Sequence, residues 1–328
     1  MATSSSSSSS PSPGLNARAQ KGFAKSHAYD QHRPSYSASS VQFLLEQTRV
    51  SGRKHARVVD LAAGTGKFTE LLAGRDEEEF EILAVEPHEQ MREVLASKQL
   101  KGVTVMEGMA HDMSGIEDES VDAVFVAQVC KVAFHWFATK PSLQEIHRIL
   151  RPHGVLGLIW NAEDYNAPRS HRASSSWETI AQNLVWSVSE ESHDTVPRYR
   201  HLEWKNIFDA QVKKTPLSLL IARGDDQMFS LPVGEVQQEE GFAVALRAEE
   251  VWERFATLGC IAELEGERRE RVKRVLMEAI RDDADAERDG EGKVVVHGYT
   301  HMVWTSKIPR EGREELMGVQ RPEVDRTA

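Results

Sequence analysis

Short apolar runs alternate with amphipathic segments along the first half of the chain. The apolar runs are typical of buried strands, and the segments between them carry apolar residues at the spacing of a helix face. Strands are predicted over 58–62, 81–86, 102–107, 121–127 and 154–160. Helices are predicted between them over 66–74, 88–97 and 137–150. Strands that alternate with helices favour a doubly wound α/β fold with a parallel sheet.

The rhythm changes after the fifth strand. Trp177, Ile180, Leu184 and Trp186 fit one face of an amphipathic helix within an otherwise polar stretch. The elements expected after it are an edge hairpin strand within 226–246, helices over 248–258 and 267–280, and a last strand over 294–304. We therefore expect a core over 57–161, an insertion over 162–225, and the remainder of the same fold over 226–309.

Low-complexity sequence marks the beginning of the chain. A run of serines followed by Pro-Ser-Pro predicts disorder over 1–19, and the polar tail 310–328 is expected to be disordered as well. Helical spacing of apolar residues resumes over 20–56. Because the sequence shows no apolar signal-peptide core and no membrane-length apolar run, a cytoplasmic location without a membrane partner is expected.

Net charge narrows the class of substrate. The chain has 51 acidic and 40 basic residues and a net charge of −11. Enzymes that act on nucleic acids usually present a basic face, because phosphate contacts supply most of their affinity. The charge therefore argues against RNA or DNA as a partner. The two cysteines, Cys130 and Cys260, lack the spacing of metal ligands, so no metal site is expected.

One stretch carries most of the chemical information. Residues 57–67 read Arg-Val-Val-Asp-Leu-Ala-Ala-Gly-Thr-Gly-Lys, which predicts a buried strand, a glycine turn and the start of a helix. Gly64 and Gly66 let backbone N–H groups approach a ligand closely. Glu86 ends the next strand about 20 residues later, which is the spacing of a βαβ nucleotide site. Its carboxylate can accept hydrogen bonds from both hydroxyls of a ribose, so an adenosyl-type cofactor is predicted at the carboxyl edge of the sheet.

Neighbouring residues distinguish between cofactors. Dinucleotide-binding sites have a third glycine at the position where this chain has Thr69. Phosphate-binding loops have Ser or Thr at the position where it has Phe68. Asp60, just before the turn, would repel a pyrophosphate but attract an ammonium group. S-adenosylmethionine (AdoMet) carries an ammonium and a sulfonium, so the charge pattern favours AdoMet. An ordinary strand-to-helix turn without a ligand is the alternative.

Four segments carry a resemblance to a known family: Ala-Tyr-Asp-Gln-His-Arg-Pro-Ser-Tyr at 28–36, the glycine turn, Ala-Phe-His-Trp-Phe at 133–137, and Glu-Ile-His-Arg-Ile-Leu-Arg-Pro-His-Gly at 145–154. The chain resembles class I AdoMet-dependent methyltransferases of the methyltransferase-11 type, the group that contains trans-aconitate methyltransferases, and its fungal small-molecule branch in particular. The resemblance implies a Rossmann-like, mostly parallel seven-stranded sheet with an antiparallel edge strand. It also implies a lid formed by 20–56 and a helical cap formed by 162–225.

The turn and the resemblance together assign the contacts with AdoMet. Asp60, Gly64, Thr65 and Gly66 are expected at its methionine half, and Glu86 at its ribose. The remaining expected contacts are Pro87, Met91, Met109, Ala110 and Asp112 around the adenine, and Ala127 and Gln128 around the sulfonium. Asp112 also fits the role of a solvated turn residue.

A general base is required for a phenol, an alcohol or a carbon acid, whereas a carboxylate acceptor needs none. His135 is the first candidate, because an unperturbed imidazole titrates at about pH 6.5 and can accept a proton in the cell. Trp136 would form an apolar wall beside it. Both residues also fit a purely structural role under the helix predicted over 137–150. Residues 129–132 separate Gln128 from this segment, whereas the resembling branch runs on without interruption, so His135 is displaced by about one helical turn or the insertion bulges outward.

Two further pairs of residues are candidates for contact with the acceptor. Tyr29 and Arg33 match the lid segment of the resembling family, with a plain helix-to-loop connection as the alternative. Asn161 and Asp164 follow the fifth strand, where open α/β sheets bind their ligands. Either of these two can instead cap the next helix.

The function expected from these observations is AdoMet-dependent methyl transfer to a small organic acid or a secondary metabolite. A first alternative keeps the fold without methyl transfer, so that the chain acts as a binding or scaffold protein or catalyses a cofactor-independent rearrangement. A nicotinamide dehydrogenase and a tRNA or protein methyltransferase are less favoured. The sequence leaves the oligomeric state open.

Overall fold

A computed structural model of the chain describes residues 35–127, 138–193, 197–211, 227–237 and 241–309. The strands in these ranges are β1 Arg57–Leu61, β2 Glu81–Val85, β3 Val103–Met106, β4 Val121–Ala127, β5 Leu150–Glu163, β6 Gly234–Gln237, β7 Phe242–Leu246 and β8 Val294–Ser306. The helices are α1 Ala38–Gln47, α2 Lys67–Ala73, α3 Glu89–Ser97, α4 Lys140–Ile149, α5 Ser176–Glu191, α6 Asn206–Asp209, α7 Ala248–Phe255, α8 Gly259–Ala262 and α9 Gly266–Asp282. Short 3-10 turns span Asp164–Asn166, Tyr199–His201 and Glu203–Lys205.

The strands form one sheet in the order β3-β2-β1-β4-β5-β8-β6, with β7 also paired to β8. β1 to β5 pair in parallel, and β8 runs antiparallel to β5. α2 lies between β1 and β2, α3 between β2 and β3, and α4 between β4 and β5, whereas a loop over 107–120 connects β3 to β4. The predicted doubly wound α/β fold with an antiparallel edge is therefore confirmed.

The far edge of the sheet differs from the predicted hairpin over 226–246. β6 and β7 do not pair with each other; both pair with β8, β6 opposite residues 301–304 and β7 opposite residues 294–298. A Cβ on Gly241 would strike the carbonyl of Gly298, so the two backbones meet at the break more closely than side chains allow. β6 and β7 thus share the outermost position beside β8, and the described sheet has eight strands in seven positions.

Several element boundaries differ from the sequence prediction for local reasons. α2 begins at Lys67, because Gly66 has a left-handed φ of +90° that an α-helix cannot contain. α4 begins at Lys140, where the Thr139 side chain accepts a hydrogen bond from Ser142 N and caps the helix. β5 extends to Glu163, three residues beyond the predicted end, because its pairing with β8 continues there. The predicted helix 248–258 ends earlier, at Phe255 of α7, and the short helix α8 follows it from Gly259.

The two faces of the sheet have separate cores. Val59 and Leu143 belong to the cluster on the face covered by α4, whereas Val58 and Leu44 belong to the cluster on the face covered by α1. Since successive strand residues point to opposite faces, Asp60 shares its face with Val58. The carboxylate beside the glycine turn therefore lies on the side of the sheet that carries α1 and α2.

A third cluster joins α5 to the C-terminal helices. Trp177 and Val185 of α5 pack with Phe255 of α7 and Leu276 of α9, and all four side chains are buried. Since area removed from water stabilises a fold by about 25 cal/mol per Å², the burial of these aromatic and aliphatic side chains stabilises the packing of α5 against α7 and α9. In the part of the chain that the structure describes, no helix combines the length and the apolar character needed to cross a membrane.

Candidate active site

The turn after β1 depends on glycine at two positions. Gly64 and Gly66 have φ of +58° and +90°, a region that other residues adopt only with strain. A Cβ on Gly66 would strike the Leu95 side chain of α3, whereas one on Gly64 would come no closer than 3.9 Å, to Met91 Sδ. The turn therefore brings the start of α2 tightly against α3, and it leaves more room around Gly64.

Glu86 joins the glycine turn to the end of β2. Its Oε2 accepts a hydrogen bond from Gly64 N at 2.9 Å, and its Oε1 accepts one from His88 N at 2.9 Å. The side chain is buried, and burial raises the pKa of Glu86, although the two backbone hydrogen bonds oppose the rise. A carboxylate has about four lone-pair positions, so two remain for further donors.

Asp60 and Thr69 form a buried pair on the other side of the turn. Thr69 Oγ1 donates to Asp60 Oδ2 at 2.6 Å, while Asp60 Oδ1 is buried and has no hydrogen-bond partner among the described residues. Burial raises the pKa of Asp60 to about 7; the Thr69 bond opposes this rise and the charge of Glu86 adds to it. A buried acceptor without a donor is costly, which makes Oδ1 the atom most in need of a ligand.

The residues predicted around an adenine lie after β2 and β3. Pro87 O and Glu86 O both accept from the Arg92 guanidinium, at 2.7 and 3.0 Å. Met91 is buried on α3, and Ala110 is buried in the loop after β3. This loop is closed by two backbone bonds between Met109 and Asp112.

Asp112 itself is exposed, and its side chain accepts from Ser114 N at 3.2 Å. A hydrogen bond with the Ser114 side chain and this bond from the Ser114 backbone lower the pKa of Asp112. The contacts are those of a solvated turn residue, the alternative that the sequence left open. Its role at the adenine stays a prediction.

The predicted sulfonium pocket and the predicted base fall largely outside the described residues. Ala127 closes β4 and is half-buried. Gln128, His135 and Trp136 lie in 128–137, and Tyr29 and Arg33 lie in 1–34, both outside the described ranges. Their roles stay predictions.

Asn161 and Asp164 are buried and make several internal hydrogen bonds. Asn161 Nδ2 donates to Ser35 O at 3.2 Å, and its Oδ1 accepts from Thr300 at 2.7 Å. Asp164 Oδ1 lies 2.9 Å from His171 Nε2, and Oδ2 accepts from the backbone and side chain of Ser174, both at 2.7 Å. Burial acts to raise the pKa of Asp164, but these hydrogen bonds outweigh burial and lower the pKa. Asn161 thus attaches the segment before α1 to the sheet, and Asp164 organises the loop after β5.

A cavity of about 500 Å³ lies beside this loop. Residues that no sequence pattern singled out contribute to its lining, namely His171, Tyr199, Glu235, Tyr299 and His301. Tyr299 and His301 of β8 stand opposite Ala162 and Trp160 at the carboxyl end of β5. Thr69 was missed as well, because it was read only as the absence of a third glycine.

Comparisons with known proteins agree with this arrangement. A family model described as a methyltransferase domain, of the methyltransferase-11 type, matches residues 59–158. An uncharacterized methyltransferase of Schizosaccharomyces pombe is 32% identical over 212 residues, which cover 64% of this chain and 80% of that protein. The chain belongs to this methyltransferase family.

Two further similarities were found. An uncharacterized methyltransferase of Mycobacterium tuberculosis is 39% identical over 137 residues, which cover 42% of this chain and 50% of that protein. The crystal structure of the YcgJ protein of Bacillus subtilis superposes with a TM-score of 0.49 at 16% identity, covering 83% of this chain and 100% of that one. Family membership confirms the predicted enzyme class, methyltransferase, and AdoMet as its cofactor.

The buried carboxylates of this methyltransferase fit AdoMet. The unpaired Oδ1 of Asp60 is suited to the α-ammonium group, because a charge-assisted hydrogen bond is about twice as strong as a neutral one. The lone pairs left on Glu86 are suited to the ribose hydroxyls, and the space beside Gly64 admits a ligand close to the backbone. A pyrophosphate would instead face two buried carboxylates.

Proposed function

We propose that this methyltransferase transfers the methyl group of AdoMet to a small-molecule acceptor, an organic acid or a secondary metabolite. The observation that carries the proposal is the cavity of about 500 Å³ beside the carboxyl end of β5. Its volume is typical of small-molecule sites, and open α/β sheets bind ligands at this edge. The net charge of −11 supports the same choice over a nucleic acid.

On the cofactor side, the residues of the turn would bind AdoMet and orient it. Bound AdoMet supplies an electrophilic methyl group on a sulfonium. Asp60 would hold the ammonium group, Glu86 the ribose, and Gly64, Thr65 and Gly66 would let the backbone approach the methionine half. Positioning of two reactants in this way can lower a barrier by about 7–11 kcal/mol.

On the acceptor side, the proposal keeps His135 as the base and Trp136 as an apolar wall, with Tyr29 and Arg33 covering the site. Asn161 and Asp164 would act by holding the loops around the acceptor, since their polar atoms are engaged with Ser35, Thr300, His171 and Ser174. A cytoplasmic location and a role in secondary metabolism belong to the same proposal and rest on the sequence expectations.

A labelling experiment tests the proposal. The full chain is incubated with AdoMet that carries a radioactive methyl group and with a cell extract separated into small molecules, RNA and protein. Label is expected in the small-molecule fraction. The variant Asp60→Asn should no longer transfer label to this fraction, whereas the exposed control Asp76→Asn should still do so. Label on RNA or protein would contradict the small-molecule assignment. Binding of S-adenosylhomocysteine without label in any fraction would favour a methyltransferase fold that has lost transfer.

A further inference from the structure

Two carboxylate–imidazole pairs face the cavity beside β5. On the sheet side, His301 Nε2 lies 2.8 Å from Glu235 Oε1. On the side of the loop after β5, His171 Nε2 lies 2.9 Å from Asp164 Oδ1. Both histidines line the cavity, and His301 is held in place by stacking on Trp160 with 5.3 Å between the ring centres.

The pair formed by His301 and Glu235 is extended by the side chain of Tyr199. Tyr199 Oη lies 3.0 Å from His301 Nδ1 and 3.3 Å from Tyr299 Oη. The bond with His301 lowers the pKa of Glu235 to about 2, partial burial opposes this, and the bond with Lys205 supports it. The ionised Glu235 accepts a hydrogen bond from His301 Nε2–H, and in this tautomer Nδ1 is the acceptor for the hydroxyl of Tyr199.

All three groups of this chain line the cavity; His301 and Tyr199 are buried, and Glu235 is exposed. Glu235, His301 and Tyr199 lie in hydrogen-bond sequence, which is the arrangement in which a carboxylate orients an imidazole that accepts a proton. We propose that the cavity binds an acceptor with a phenolic hydroxyl, and that Tyr199 and His301 together take its proton. The inference rests on the proposed function and names the chemical class of the acceptor.

The walls of the cavity favour a neutral aromatic acceptor over a carboxylate. The rings of His171 and Tyr299 lie 4.6 Å apart, and Tyr199 and His301 also line the cavity, so aromatic rings form much of its wall. A carboxylate in the same place would stand near the negative charges of Glu235 and Asp164. Arg172 also lines the cavity, so a carboxylate is included as a probe in the test.

The proposed step balances as follows. The acceptor oxygen forms a bond to the methyl carbon while the C–S bond breaks, and sulfur keeps the electron pair as a thioether. The acceptor proton passes to Tyr199 Oη as the proton of Tyr199 passes to His301 Nδ1. The resulting imidazolium is stabilised by Glu235 and returns its proton to water after the product leaves.

A binding experiment on the full chain without AdoMet tests the site. Calorimetric titrations compare 4-methylphenol with 4-methylanisole, which lacks the hydroxyl proton, and with 4-methylbenzoate. The phenol is expected to bind about tenfold more tightly than either, the effect of one hydrogen bond to a buried partner. Tyr199→Phe should reduce the preference to less than about threefold, whereas Glu253→Gln, an exposed carboxylate on α7, should retain it. No binding of the phenol, tighter binding of the benzoate, or an unchanged preference in Tyr199→Phe would overturn the proposal.

A turnover experiment with AdoMet tests the proton transfer. Removal of a general base should slow methylation of 4-methylphenol by about a hundredfold in Tyr199→Phe and Glu235→Gln. Methylation of 4-nitrophenol, which is largely ionised already, should slow by less than about threefold in the same variants. Equal losses with both phenols, or a selective loss in His135→Ala with Tyr199→Phe unaffected, would overturn the assignment.

Titration with S-adenosylhomocysteine separates the two proposals. If the protein binds S-adenosylhomocysteine but neither binds nor methylates 4-methylphenol, the phenol proposal alone is wrong. If it binds 4-methylphenol with the expected preference but no S-adenosylhomocysteine, the proposed function is wrong and the phenol site stands.

Discussion

Thr69 Oγ1 donates a hydrogen bond of 2.6 Å to Asp60 Oδ2, and both side chains are buried. The bond joins the first turn of α2 to the end of β1 and satisfies one oxygen of the carboxylate. The other oxygen has no partner among the described residues. Because burial raises the pKa of Asp60 to about 7, this carboxylate is only partly ionised near neutral pH until a cation stabilises its charge.

The stability of the protein should depend on the ionisation of Asp60. Its pKa is raised from 3.8 to about 7, so the stability present below about pH 4 is lost as the pH rises through about 7. Asp60→Asn cannot ionise, and its stability relative to wild type should rise by about 2–3 kcal/mol between pH 5 and pH 8. Urea unfolding at the two pH values measures the difference. The same pH dependence in wild type and Asp60→Asn, with Asp76→Asn as the exposed control, would show that Asp60 does not titrate in this range.

The affinity for AdoMet should also depend on the ionisation of Asp60. It should increase with pH, whereas the stability of the protein decreases. Only the ionised form of Asp60 attracts the ammonium group, so binding should tighten by about tenfold between pH 6 and pH 8 as the fraction ionised increases. Calorimetric titration with S-adenosylhomocysteine, which carries the same ammonium group, gives the affinity at each pH. In Asp60→Asn the rise should disappear. If it persists there, another group is responsible for the pH dependence.

Glu86→Gln should destabilise the turn even though it preserves the size of the side chain. Glu86 accepts from Gly64 N and His88 N with different oxygens, and the amide of glutamine must present an N–H group to one of these donors. Leaving a buried N–H without an acceptor costs about 1–3 kcal/mol. Denaturant unfolding should show this loss, and affinity for S-adenosylhomocysteine should fall with it. Glu93→Gln, on the exposed face of α3, is the matched control and should leave both quantities unchanged.

Gly66→Ala should be more harmful than Gly64→Ala. Both positions have positive φ, which costs a residue other than glycine about 1–3 kcal/mol. Only at position 66 does the new Cβ also strike Leu95. Thermal unfolding of the two variants measures the difference. A double variant, Gly66→Ala with Leu95→Ala, should be less destabilised than the sum of the two single changes, and simple additivity would exclude the contact with Leu95 as the cause.

Much of the fold was predictable because its signals are local. The apolar run before Gly64, the glycines themselves and Glu86 lie within one βαβ unit of about 30 residues, where strand, turn and helix preferences are set by neighbours in the sequence. The predicted edge hairpin was wrong for the opposite reason. β6 and β7 both pair with β8, which lies much later in the chain, so neighbouring residues do not specify this pairing.

The sequence by itself determined the parallel α/β core, the glycine turn and the carboxylate that follows β2, because alternating periodicity and glycine spacing encode them locally. Only the tertiary structure decided which atoms need a ligand and which residues meet at the cavity. Tyr199 and His301 are 102 residues apart, and Glu235 is 66 residues from His301, so no spacing along the chain relates them. The antiparallel pairing of β8 with β6 brings Glu235 and His301 to one face of the sheet, and the 3-10 turn Tyr199–His201 places the Tyr199 ring beside His301.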